Sequence, residues 1–239
     1  ADQMAASGML ADFVLRRSGA QELVACTWAM REGLLLGLLR SNSSGRSADA
    51  RRRAVHGLAA RFLADNAHGR HVAKLALTLF DATALVLGLG AGARELLEYA
   101  ALLHDVGHAI DHDRHNRHSY YLIKNAELLG FDQDEIDVIA LAARSHRKQG
   151  GQLDSSELRG LAAGQRRTVR GLAAILRVAD ALDRSHFGVV KGIKTRYSPG
   201  RLTVEVSAKP HDGELELWTC ERRTELLEKL LDRRIILQN

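Results

Sequence analysis

The stretch "HDVGHAIDHDRHNRHS", residues 104–119, holds five of the chain's eleven histidines, at positions 104, 108, 112, 115 and 118. Steps of four and three would stack all five on one face of a single helix. Such a segment is either a metal site, a helix with a solvated histidine stripe, or a few ligands among bystanders. Imidazoles mixed with carboxylates suit Mn, Fe, Co, Zn or Mg rather than a thiolate-seeking metal. The elements that carry the side chains must decide between these readings.

From about residue 51 to 186 the apolar period is helical, with helices expected over 51–64, 68–88, 93–109, 118–129, 133–146 and 167–185. Asp132 reads as an N-cap with acid in the following turn. Gly107 and "DHDRHN" predict a break into a loop before His118. After residue 187 the pattern alternates. "GVVKGIKTRYS", "RLTVEVSA" and "ELELW" read as strands, with turns at "SPG" and "HDG", then a helix over 221–232 and a last strand "IILQ". Residues 7–40 read helix, strand, helix: "ASGMLADFVLRRSG" stopping at Gly19, then "ELVACTW", then "MREGLLLGLLR". An isolated unit of that kind cannot bury its strand, so it reads as the tail of a larger α/β domain. The small polar linker "SNSSGRSADA" follows it.

These elements sort the histidines. Ligands in a helical bundle point inward. His68 shares the stripe of Val72, Leu75, Ala76 and Leu79, whereas His71 aligns with Lys74 and Thr78. His104 and Asp105 end an apolar helix. His146 follows Ile139 and Ala143 on one face, Asp180 follows Leu172 and Leu176, and His118 shares a face with Leu122. An aspartate on an apolar stripe is costly unless it is paired or metal-bound. The expected metal set is therefore His68, His104, Asp105, His118, His146 and Asp180, with one or two divalent ions. Asp105 is the bridging candidate, and Asp105 with His104 is expected to be catalytic. Two adjacent metals suit phosphoryl hydrolysis. Arg144, Arg147, Lys148 and Arg184 neighbour His146 and Asp180 in sequence, and are expected to rim the pocket and hold phosphate.

The ordered pattern H…HD…D resembles the HD superfamily of metal-dependent phosphohydrolases. "VAKLALTLFD", "ALLHDVGHAIDHDRHNRHSYYLI", "GFDQDEIDVIALAARSHRK" and "LAAILRVADALDRSH" resemble, more narrowly, the HD-like domain of the exopolyphosphatase and guanosine-pentaphosphate phosphatase family. "MREGLLLGLL" is similar to the end of that family's preceding phosphatase domain. The resemblance implies a mainly α fold, an HD-type helical bundle, with an N-terminal remnant of an α/β phosphatase domain and a small C-terminal α+β segment. The implied divisions are 1–42 for the tail of an actin-like phosphatase domain, 50–188 for the HD-like metal-binding domain, and 189–239 for the C-terminal subdomain. His71, His108, His112 and His115 have no role carried over, although a second histidine near His115 is common in the family.

The family's polyphosphate hydrolysis is attributed to amino-terminal actin-like domains with Gly-rich phosphate loops, which this sequence lacks. The chain therefore reads as the C-terminal region of a longer exopolyphosphatase-like protein. Two readings stay open: a metal-dependent phosphohydrolase acting on polyphosphate or phosphorylated nucleotides, and a non-catalytic module that binds polyphosphate and supports homodimerisation. The 239 residues carry a net charge of +5, clustered in "RSADARRR", "RGLAAGQRRTVR" and "RSHFGVVKGIKTR", which favours a polyanionic partner. Those runs lack interleaved aromatics, against nucleic-acid binding. No apolar run approaches the ~20 residues that span a bilayer. Cys26 and Cys220, far apart, imply no disulfide framework, and the expected location is cytoplasmic.

Overall fold

A computed structural model of the chain describes residues 2–19, 21, 46–147, 158–209 and 212–238. The chain divides into two compact units, Ala1–Ser47 and Ala48–Asn239. In the first, helix α1 (Asp2–Ser18) ends where Gly19 takes a left-handed φ of 70° and its N–H caps the Leu15 carbonyl, as expected of that glycine. Met9, Leu10 and Phe13 on this helix are exposed. The strand and helix read at "ELVACTW" and "MREGLLLGLLR", with Cys26, lie outside the described residues.

The second unit is a helical bundle with a small sheet. Its helices are α2 (Arg46–Phe62), α3 (Ala67–Leu87), α4 (Gly92–Leu103), α5 (His115–Lys124), α6 (Gln133–Ser145) and α7 (Ala163–Ala181), with a 3-10 turn at Val106–Ala109. Helix α7 is the centre. From Val169 to Ala181 nearly every side chain is buried, and α3, α4 and α6 pack around it. The basic run 46–53 is in part structural rather than a polyanion surface. Arg51 forks onto Glu135 at 2.8 and 2.9 Å, reaches Glu95 at 3.1 Å, donates to the Gly130 carbonyl and lies 4.1 Å over Phe131, tying α2 to α4 and α6. Helix α6 begins at the N-cap expected of Asp132, here completed into a capping box: its carboxylate accepts from Glu135 N–H at 2.8 Å and the Glu135 carboxylate accepts from Asp132 N–H at 3.1 Å.

Strands β1 (Gly192–Ser198) and β2 (Arg201–Ser207) form an antiparallel hairpin through Pro199-Gly200, where Gly200 has φ 71°. Strand β3 (Arg234–Gln238) pairs with β2 in parallel, Leu202 opposite Ile235. A parallel neighbour needs a crossover, and helices α8 (Glu214–Glu221) and α9 (Glu225–Leu231) supply it. This corrects the strand expected at "ELELW". Helical spacing turns Glu216 and Cys220 inward together, and the buried Glu216 carboxylate accepts from Ser185 N–H at 3.2 Å. Leu215 and Trp218 are exposed. No helix among the described residues is long and apolar enough to cross a membrane.

The expected helix 93–109 stops at Leu103, and the 3-10 turn lies directly against α5. Gly107 N–H donates to Ser119 Oγ at 2.9 Å, and Ser119 Oγ donates to the His104 carbonyl at 2.6 Å. A Cβ on Gly107 would overlap the His115 carbonyl oxygen and the Ser119 amide nitrogen. Because those are backbone atoms, Gly107→Ala should cost at least ~3 kcal/mol, the upper end of overpacking penalties. A lower denaturation midpoint at unchanged m-value is the expected reading.

Candidate metal centre

Five helix ends and one turn converge on Asp105. His68 enters from the first turn of α3, His104 is the C-cap of α4, and Asp105 immediately precedes the 3-10 turn. His115 opens α5, His146 caps α6, and Asp180 lies in the last turn of α7. Each imidazole is held from behind. His104 Nδ1 lies 2.7 Å from the Ala101 carbonyl, His146 Nδ1 2.6 Å from that of Ala143, and His68 Nδ1 2.8 Å from Asp183 Oδ2. Those acceptors favour a proton on Nδ1, so that each ring in its neutral form would present Nε2 to a cation, the arrangement common behind metal-ligating histidines. His115 Nδ1 lies between the His112 carbonyl at 3.1 Å and Arg147 Nη1 at 3.2 Å.

The Nε2 atoms then divide between the two oxygens of Asp105. His68 and His104 lie 3.7 and 3.6 Å from Oδ2, and 3.3 and 3.4 Å from Asp180 Oδ1. His108, His115 and His146 lie 3.5, 3.2 and 3.7 Å from Oδ1. The Nε2 atoms of His115 and His146 face one another at 3.2 Å, and those of His68 and His104 are buried without a hydrogen-bond partner. Buried polar atoms of this kind need an explanation, and a cation held between the rings supplies one. Among the described residues the ligand atoms fall into four mutually close groups: His68, His104 and Asp180; His104, Asp105 and His146; Asp105, His108 and His115; and His68, Asp105 and His186.

The structure thus brings together His68, His104, Asp105, His146 and Asp180. His118 joins none of these groups, nor do His71 and His112. The inward stripe of α5 is His115, Ser119 and Ile123, one residue round from the His118 and Leu122 face read from sequence. That i, i+4, i+8 period was visible in the sequence, as was the three-residue step from Asp180 to Asp183 along α7. His108 comes inward only because the chain tightens into a 3-10 turn, which helical periodicity does not signal. Of the basic residues, Arg147 reaches His115 and Arg184 is exposed. Arg144 lies 5.0 Å from the Tyr120 ring, and Lys148 lies outside the described residues. Arg223, not singled out from sequence, donates to the Arg147 carbonyl at 2.7 Å.

The electrostatics follow from this crowding. Burial raises the carboxyl of Asp105, but the charge of His104 and the contacts with His108 and His115 outweigh it and hold the group well below the usual range. Asp180 is held low in the same way, by His104 and His68 against its burial. Burial also opposes charge on His68, yet Asp180 and Asp183 beside it, with the charge of Asp105, push it up to about 9. His146, fully enclosed and next to His104, falls to about 4. Two ionised carboxylates facing the Nε2 atoms of several buried imidazoles are a cation-binding arrangement.

The model of the Ppx/GppA phosphatase family, domain III, matches residues 50–216. The chain belongs to this family. It is 32% identical over 162 residues to the guanosine-5'-triphosphate,3'-diphosphate pyrophosphatase of Aeromonas hydrophila, covering 67% of this chain and 32% of that protein. It is 34% identical over 130 residues to the protein of the same description from Pseudoalteromonas translucida, covering 53% of this chain and 26% of the relative. The aligned stretches cover a third or less of the length of these Ppx/GppA relatives, and the family match over residues 50–216 includes every residue of the cluster.

Linkage gives the pH dependence of the cation-free protein. His68 is raised above its ordinary 6.5, so its stabilisation is complete below pH 6.5 and is lost as pH climbs through about 9. His146 is depressed, so the fold loses stability as pH falls from 6.5 toward about 4. Urea denaturation in chelator should therefore show maximal stability near pH 6.5, and Asp183→Asn should flatten the alkaline fall.

Proposed function

We propose that this Ppx/GppA domain is an HD-type metal-dependent phosphohydrolase centre. Its substrates are phosphorylated nucleotides or polyphosphate, and it forms the C-terminal region of a larger cytoplasmic protein. The observation that carries the proposal is Asp105, whose two carboxylate oxygens each face a separate set of imidazoles. His68, His104 and Asp180 with Asp105 Oδ2 would hold one divalent ion, and His108, His115 and His146 with Oδ1 a second. Bound there, such ions supply positive charge against a phosphoryl group and an activated nucleophile. The chain's own residues do the rest. Asp183 and the Ala101 and Ala143 carbonyls fix the rings, Asp105 and Asp180 supply negative charge, and Arg147, Arg184 and Arg223 offer guanidinium forks for phosphate oxygens. His118 is not proposed as a ligand, and His104 acts by holding a cation rather than by transferring a proton. The N-terminal unit is taken as the tail of an actin-like phosphatase domain, and residues 189–239 as a subdomain that buttresses the centre.

A second reading is favoured by one observation. Only domain III is matched, and the aligned stretch covers 32% of the first relative's length. On that reading the cluster is a structural metal site in a module that binds polyphosphate, supports dimerisation and serves catalytic domains elsewhere.

Asp105→Ala separates the two. On the catalytic reading the variant folds, loses metal by elemental analysis, and loses at least ~100-fold in phosphate release from nucleotide and polyphosphate substrates. Wild-type activity that survives the substitution contradicts the catalytic reading. Loss of stability together with metal, with no activity in either protein, supports the module, because structural metal binding is folding free energy.

A further inference from the structure

His186 follows α7 in "LDRSHFG", outside any regular element, yet it is held over the centre. Its ring stacks on His68 with centroids 3.7 Å apart and planes 4° from parallel. A ligand nitrogen of His186 lies within 4.8 Å of ligand atoms on His68 and Asp105. The backbone adopts φ 61° there, a left-handed conformation uncommon for any residue but glycine. A strained residue persists only where its surroundings over-determine it, and here they do so at three points. His186 N–H donates to the Asp183 carbonyl at 3.0 Å, Gly188 N–H donates to Asp183 Oδ1 at 2.8 Å, and Ser185 N–H donates to the buried Glu216 at 3.2 Å. Asp183 is itself 1% exposed, and its other oxygen takes His68 Nδ1. One carboxylate thus orients a proposed ligand and shapes the turn that carries the next histidine. Unlike the buried His104 and His146, His186 is exposed, so an arriving ligand can reach it.

We infer that His186 is a further, exchangeable ligand of the cation held by His68 and Asp105, positioned by the strained turn that Asp183 and Glu216 pin. The inference rests on the metal-centre reading above and deepens it. With a cation held there, His186 would ligate it and would give way to a phosphate oxygen of an arriving ligand. The left-handed backbone is then the cost of aiming an imidazole from a loop at a centre otherwise built from helix ends.

The test uses Co2+ alone, in the whole chain, by competition with a chromophoric chelator and by the visible spectrum of the bound ion. His186→Gly is the informative variant, because glycine adopts the observed φ without strain. Its cation-free denaturation midpoint should equal or exceed that of the wild type, whereas Co2+ affinity falls about 10–100-fold, as when partners of a metal site are removed, and the spectrum shifts. Added inorganic phosphate should shift the wild-type spectrum toward that of the variant. A wild type that binds Co2+ and a His186→Gly protein with equal affinity and an identical spectrum overturn the role of His186 and leave the metal centre standing. A wild type that takes up no Co2+, like Asp105→Ala, overturns the metal-centre reading and this inference with it.

Discussion

The centre depends on one constraint: a single carboxylate, Asp105, must present both oxygens to imidazoles arriving from opposite sides. An aspartate inside an α-helix cannot easily do so, because its neighbours at i±3 and i±4 are its own helix. The chain meets the requirement by ending α4 at Leu103 and tightening into a 3-10 turn, so that Asp105 lies between two elements. The turn then needs α5 almost in backbone contact, which only Gly107 permits. His108 and His115 come within reach of one oxygen through that contact, while α3 and α7 bring His68 and Asp180 to the other side.

The remaining architecture follows from burying charge among apolar helices. Ionised carboxylates in the interior are costly unless paired, and here the rings of His68, His104, His115 and His146 are each fixed by a carbonyl or by Asp183. The apolar mass of α7 supports this arrangement, and the C-terminal helices matter to it too. Glu216 from α8 pins the turn after Asp183, and Arg223, just before α9, brings a guanidinium to the Arg147 carbonyl, next in the chain after His146. The crossover that makes β3 parallel to β2 thus also walls the centre.

Much of this was legible in the sequence where long apolar stripes carry the information. His68 on α3, His146 after α6 and Asp180 on α7 follow directly from helical period, and the Asp132 N-cap and the Pro199-Gly200 turn are local chemistry. The rest depends on contacts that periodicity does not encode. His115 and His118 lie on neighbouring faces of a short helix whose register is set by the Gly107 contact, and the apolar Leu122 pointed to the wrong one. His108 depends on a 3-10 turn, and His186 on a left-handed residue held by hydrogen bonds from distant elements. "ELELW" alternates like a strand, but satisfying Glu216 at Ser185 decides for a helix. The family resemblance was carried by the ordered motifs rather than by any single residue.

The central claim is that Asp105 and its two histidine sets form a divalent-cation site in which protons occupy the place of the ion when it is absent. Isothermal titration of chelator-treated protein with Mn2+ at pH 7.5, repeated in buffers of different ionisation enthalpy, tests it most directly. His68, raised to about 9, is protonated at that pH, so ligation must expel its proton. The account predicts saturable binding of one or two ions per chain with net proton release. Absence of binding, or binding whose heat is the same in every buffer, would contradict it.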